Sequence, residues 1–125
     1  MMATTAPTPK IASLTTTVPT EAEAQGLARG LVEARLAACV QVEAGMQSHY
    51  RWKGTLQAEP EVRLTIKTVP AARARVEDFI GRYHPYEVPQ LLWQEQEASP
   101  AYAEWVRKEV EAAVSAPPAE PPPAT

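Results

Sequence analysis

Cys39, His84 and His49 are the side chains of this 125-residue chain whose chemistry could reach beyond packing. A thiolate and an imidazole together suit copper or zinc, so Cys39 and His84 form the candidate metal pair. Each has a plainer role open to it. A free cysteine in a strand commonly packs as a small hydrophobe, and a histidine just before Pro85 serves a turn as readily as a metal. His49 falls on the polar side of an alternating segment and reads as a solvated or interface residue. A single cysteine excludes an internal disulfide and a four-cysteine zinc site. Cys39 with a histidine base would make a nucleophile pair only with an orienting motif, and none is present. The glycines, at 26, 30, 45, 54 and 81, form no phosphate loop. The chain is not expected to be an enzyme; an enzymatic reading would require a reactive thiol at Cys39.

Charge narrows the partners. Twelve Lys+Arg against 15 Asp+Glu give a net charge of −3, and the arginines are scattered. Neither nucleic acid nor an anionic membrane is favoured. No apolar run approaches the ~20 residues of a membrane span, and the start carries no secretory h-region. The cytoplasm is the expected location.

Seven of the 13 prolines lie in the two ends: Pro7, Pro9, Pro117, Pro118, Pro121, Pro122 and Pro123. Residues 1–9 read as a disordered leader and residues 115–125 as a disordered Pro/Ala-rich tail, both short of large apolar residues. Residues 10–114 form the single expected domain. Ile11 to Thr17 reads as a first strand. Thr20-Glu21-Ala22-Glu23 has the capping-box pattern, in which Glu23 reaches back to an amide. Ala24, Leu27, Ala28, Leu31 and Leu36 make the stripe of a helix ending near Arg35. From Ala38 the apolar period drops to two residues, through Val40, Val42, Ala44 and Met46 to Tyr50 and Trp52. After a turn at Lys53-Gly54 it resumes with Leu56, Ala58, Val62, Leu64 and Ile66. The two runs predict a long β-hairpin. A two-residue turn would set Trp52 opposite Thr55 and put the apolar positions out of phase, so an odd loop or a bulge at Gly45 or Pro60 is required. A second helix (Ala72, Val76, Phe79, Ile80, Tyr83) ends before His84-Pro85. Leu91 to Trp93 is a fourth strand. Ser99-Pro100 opens a third helix with Tyr102, Trp105, Val106 and Val110 as its buried stripe. The order predicts an α+β class, ferredoxin-like βαββαβ sandwich, helices on one sheet face, with an extra C-terminal helix.

Ala37 to Trp52, fully extended, would reach about 50 Å at ~3.3 Å per residue, whereas a ~100-residue domain is about 35 Å across. The hairpin must bend or project. A projecting tip would leave Tyr50 and Trp52 in water, and long unpaired edges invite another chain. Self-association follows, with Tyr50 and Trp52 as interface residues.

Several segments in order, Glu33 to Val40, Tyr50-Arg51-Trp52-Lys53-Gly54, Ile66-Lys67-Thr68, His84-Pro85-Tyr86-Glu87-Val88-Pro89 and Pro100 to Trp105, resemble the CutA divalent-cation tolerance family over about Ile11 to Val110. The resemblance implies a ferredoxin-like homotrimer with hairpins paired between subunits, a role in the response to metal ions, copper or another divalent cation as a possible ligand with none required, and no agreed reaction. Some members carry a cysteine where this chain has Thr16, a histidine at Tyr83 and a glutamate at Gln90; of the copper-associated positions, His84 keeps a good ligand, beside Cys39. Glu59, Lys67, Tyr86 and Glu87 are the remaining polar residues of the matched segments. They suggest an inter-subunit cleft for a small anionic ligand, as in a scaffold or signalling trimer resembling PII proteins, or an interface network of salt bridges and hydrogen bonds.

Overall fold

A computed structural model describes residues 8–115, with side chains as far as residue 110. Most of the expected leader and tail lies outside the described residues. The elements run β1 (Lys10–Val18), α1 (Glu21–Glu33), β2 (Cys39–Trp52), β3 (Thr55–Thr68), a 3-10 turn (Pro70–Ala72), α2 (Arg73–Tyr83), β4 (Leu92–Glu97) and α3 (Pro100–Ser115). The strands form one antiparallel sheet in the order β2-β3-β1-β4. This is the expected α+β, ferredoxin-like arrangement.

Local chemistry sets the boundaries. The Thr20 hydroxyl accepts from the Glu23 amide at 3.2 Å, capping α1. Glu23 is not seen to reach back to an amide; its carboxylate accepts a hydrogen bond from the Thr20 hydroxyl instead, at 3.1 Å. The far end of α1 closes as a Schellman motif: Leu36 N–H donates to Leu31 O and Arg35 N–H to Val32 O, with Arg35 at φ 59°. Leu36 is therefore buried beyond the helix rather than on its stripe. On α1, Gly30 lets the Phe79 ring approach, since a Cβ there would meet Cζ at 2.9 Å.

Strand alternation sorts β1 and β3 onto two faces. Leu14, Val18, Val62, Leu64 and Ile66 join Leu27, Leu31, Val76 and Ile80 in the main core beneath α1 and α2. Ile11, on the opposite face, packs with Ala103 and Val106 of α3. The helices thus do not all share one face: α3 covers one end of the sheet's second face. Among its described side chains the buried ones are Ala103, Val106 and Val110, whereas Tyr102 and Trp105 are 37% and 44% exposed. Spacings of three and four residues place 103, 106 and 110 on one line toward the sheet, so the two aromatics flank that line. Tyr83, expected on the α2 face, is likewise partly exposed.

The hairpin resolves its phase problem at Gly45. Trp52 does pair with Thr55, around a two-residue turn with positive φ at Lys53 (49°) and Gly54 (81°), the type I′ signature. Glu43 pairs with Arg63 and Met46 with Glu61, so Ala44 and Gly45 together face Val62. Gly45 takes φ 86°. This bulge puts Val42 opposite Leu64 and Val40 opposite Ile66. Pro60 needs no irregularity and pairs in register with Gln47. Beyond the bulge the even-numbered residues of β2 switch faces. Met46, Ser48, Tyr50 and Trp52 now share the second face with Glu61 and Glu59.

Candidate functional site

Pairing of β1 with β3 stops at Val18 and Val62, so Thr55 to Glu61 runs on beside β2 alone. That extension is about 23 Å at ~3.3 Å per residue. On its second face lies a pocket of about 520 Å³, lined by Thr17, Ser48, His49, Tyr50, Trp52, Glu61 and the 85–90 loop. Two features build it: the Gly45 bulge, which turns Tyr50 and Trp52 onto this face, and the loop after α2, which supplies the opposite wall.

His84 anchors that loop. Its Nε2 lies 2.8 Å from Thr17 O, and its Nδ1 accepts from Tyr86 N–H at 3.1 Å. Such a pair of contacts assigns the proton to Nε2 and the acceptor lone pair to Nδ1. Burial pushes the imidazole below its ordinary 6.5, while the Thr17 carbonyl and the carboxylates of Glu23 and Glu61 pull the other way. Tyr86 then donates its hydroxyl to Glu61 Oε2 at 3.1 Å. Burial, followed by the hydrogen bond and charge of Glu61, holds the Tyr86 phenol well above its ordinary 10.0. Tyr50 is raised as well, by desolvation and then by the nearby Glu59 and Glu61. At the rim, Lys53 Nζ sits 5.6 Å over the Trp52 ring and 3.8 Å from Glu87.

The residues singled out from sequence divide between two ends of the sheet. Tyr50, Trp52, Tyr86 and Glu87 line the pocket, and Glu59, paired with Ser48, lies beside it on the hairpin. Lys67 is elsewhere. It pairs with Ser13 and Cys39, about 20 Å up the strand from Glu61 at ~3.3 Å per residue. Within one chain Lys67 thus stands apart from Glu59, Tyr86 and Glu87, which were expected to meet in a cleft between subunits. Nor are Cys39 and His84 together: Cys39 is level with Ser13, while His84 holds Thr17, about 13 Å further along β1. Cys39 is partly buried near Tyr102 of α3. Thr16 is fully buried, and its hydroxyl has no hydrogen-bond partner among the described residues. No group of three or more His, Cys, Asp or Glu side chains gathers to hold a metal among the described residues.

Sequence reasoning passed over Glu61 and Lys53. Glu61 had a visible signal, a carboxylate in a run leading from the exposed tip into the core. What hid it was the bulge, which decides whose side chains share its face.

Comparisons with known proteins bear on most of the chain. Residues 12–109 match the family model of the CutA1 divalent ion tolerance protein. The divalent-cation tolerance protein CutA of Thermus thermophilus is 38% identical over 93 residues, spanning 74% of this chain and 90% of that one. The human protein CutA is 38% identical over 96 residues, spanning 76% of this chain and 54% of that one; the chain thus covers about half the length of such animal relatives. Among solved structures, CutA from Synechococcus elongatus superimposes with a TM-score of 0.78 at 38% identity, covering 82% of this chain and 92% of that chain. Divalent cation tolerance protein from Thermus thermophilus gives a TM-score of 0.76 at 35% identity, covering 79% and 97%.

Proposed function

The chain belongs to the CutA1 divalent ion tolerance family, and we propose that it acts in divalent-cation tolerance as a cytoplasmic homotrimer whose hairpins pair between subunits. One observation carries the assembly: the hairpin outruns its own sheet and leaves Tyr50, Trp52 and Leu56 exposed by 39%, 40% and 73%. Tyr50 and Trp52 lie on one face of the hairpin and Leu56 on the other, and burying either surface against another chain is favourable by about 25 cal/mol per Å² of apolar area. Both hairpin edges also carry backbone groups suited to strand pairing. Among the described residues no helix is long and apolar enough to cross a membrane. No catalytic reaction is assigned.

Copper does not fit the residues of a single subunit. Both ring nitrogens of His84 are engaged in hydrogen bonds, and Cys39 lies at the other end of the sheet. Weak copper binding would need ligands contributed by another copy, with Cys39 the thiol available. The direct test of the assembly is light scattering at micromolar concentration. A mass of three chains is expected, falling toward one chain in Leu56→Glu. A native protein that runs as a single chain overturns the reading.

The pocket favours a second role beside the first, that of a scaffold or signalling trimer taking a small ligand or partner protein at its inter-subunit clefts. Its volume falls in the range of small-molecule sites. A neighbouring subunit seated on the hairpin tip would close its open side.

A further inference from the structure

Resting on that second role, the lining of the pocket narrows the ligand's chemistry. Glu61 is only 9% exposed, and it lines the cavity. A carboxylate that far out of water ordinarily has a cation for company. Here the donor is neutral, the Tyr86 hydroxyl on Oε2. Two carboxylate oxygens offer about four acceptor sites, so one phenol leaves most of the capacity unused. No lysine or arginine is among the lining residues. At the rim, the Lys53 ammonium is drawn to Glu87, 3.8 Å away. An anion would meet the carboxylates of Glu61 and Glu87, with His49 the one lining side chain able to carry a positive charge.

Aromatic rings complete the pattern. Tyr50, Trp52 and Tyr86 all line the cavity, and ring faces attract cations, tryptophan most of all. The chain displays this chemistry at the rim, where Lys53 Nζ stands over the Trp52 ring with Glu87 beside it. A bare divalent metal matches less well. It needs several close oxygen, nitrogen or sulfur ligands, whereas no group of three or more such acidic, histidine or cysteine side chains exists among the described residues. A cavity of about 520 Å³ is also far larger than an ion.

We propose that the pocket between the hairpin and the 85–90 loop binds a small organic cation, an alkylammonium or guanidinium group, with Glu61 as counter-ion and the rings of Tyr50, Trp52 and Tyr86 around it. Glu61 and the rings select for charge, and Thr17, Ser48 and Gln90 supply polar groups for the rest of the ligand.

Calorimetric titration of the full chain with n-butylammonium, agmatine and neutral 1-butanol tests this. Both cations are expected to bind and 1-butanol is not. Glu61→Gln should weaken the cations by about tenfold or more, as loss of a charge-assisted pair does. Trp52→Leu should weaken them by roughly three- to tenfold through the lost ring face. Equal binding of 1-butanol, no saturable heat with either cation up to tens of millimolar, or unchanged affinity in Glu61→Gln overturns the proposal. Should Glu61→Gln not fold, Trp52→Leu on the exposed tip decides, and unchanged selectivity for ammonium over alcohol overturns it. A titration with zinc or copper chloride that binds more tightly than either amine and is lost in Glu61→Gln also overturns it, in favour of a metal. Light scattering on the same samples separates the two readings. A trimer that ignores ammonium sinks this inference alone, whereas a single chain that binds it through Glu61 sustains the pocket and sinks the assembly.

Discussion

The two ends of one hairpin live in different surroundings. Where β3 lies between β1 and β2, Leu64 and Ile66 are wholly buried beneath α1 and α2. Past Val62 the same strand has one neighbour, and Leu56 is 73% exposed. Alternation is equally regular in both halves, so the pattern alone does not say which end is core. What differs is the number of elements stacked against each end. The inner half answers to its own subunit; the outer half exposes Tyr50, Trp52 and Leu56 without a partner in the single chain.

The sharpest way to break that contrast is a matched pair of truncations. Leu64→Ala should cost about 2–5 kcal/mol, as for a leucine removed from a packed core. Leu56→Ala should leave the unfolding free energy of a single chain within about 0.5 kcal/mol, the usual range for a surface change. Denaturant unfolding at a fixed protomer concentration checks both, since assembly makes apparent stability depend on concentration. If Leu56→Ala shifts the midpoint at high protein concentration and not at low, the tip is buried between copies. A loss equal to that of Leu64→Ala at all concentrations would mean that the tip folds against its own chain.

The join between the halves is Gly45. At φ 86° an L side chain is strained, although a Cβ there meets nothing within 4 Å. The cost of Gly45→Ala is therefore backbone alone, about 1–2 kcal/mol. A larger loss, accompanied by altered accessibility of Trp52, would show the register slipping rather than straining. Fluorescence quenching of Trp52 in a variant lacking the other two tryptophans reads that difference.

Much of this was legible in the chain itself. Thr20 and Glu23 announced the start of α1, Ser99-Pro100 that of α3, and the parity of Trp52 and Thr55 demanded a bulge, with Gly45 one of two candidates. Those are local signals, carried by residues within a turn of the feature they set. The site was less legible because it depends on who is opposite whom. Lys67 and Glu59 sit on one strand and look like partners in sequence, yet the pitch of a strand separates them by about 26 Å at ~3.3 Å per residue. Glu61 gained its importance from the bulge across from it and from Tyr86, a loop away. Tyr102 and Trp105 were placed in the buried stripe by their apolar size, when the helical line to the sheet runs through Ala103, Val106 and Val110.

The pocket's loop responds to pH in a way the hairpin body should not. His84 holds Thr17 and Tyr86 in its neutral form, and burial keeps its folded pKa below 6.5. The unfolded chain therefore takes up a proton first as pH falls, and stability contributed by His84 is lost from about pH 6.5 downward. His84→Gln should flatten the change between pH 7 and 5 after an initial cost of about 1 kcal/mol for the displaced hydrogen bonds. Urea midpoints across that range measure it. An unchanged slope in the variant would assign the effect to other groups.

The smallest effect sits at the outermost residue. Lys53 occupies the first position of the type I′ turn at φ 49°, a conformation asparagine adopts more readily than lysine. Against that gain stand its ion pair with Glu87, where both side chains are more than 70% exposed, and its place over the Trp52 ring. Exposed pairs contribute little, about 0–1 kcal/mol before screening by salt. Lys53→Asn is thus expected to be neutral to stabilising, by up to about 0.5 kcal/mol, and more so in high salt, where the lost pair matters less. A clear loss of stability that persists in high salt would mean that Lys53 is packed rather than paired. The tip would then be a second small core, and the contrast between the two ends of the hairpin would not hold.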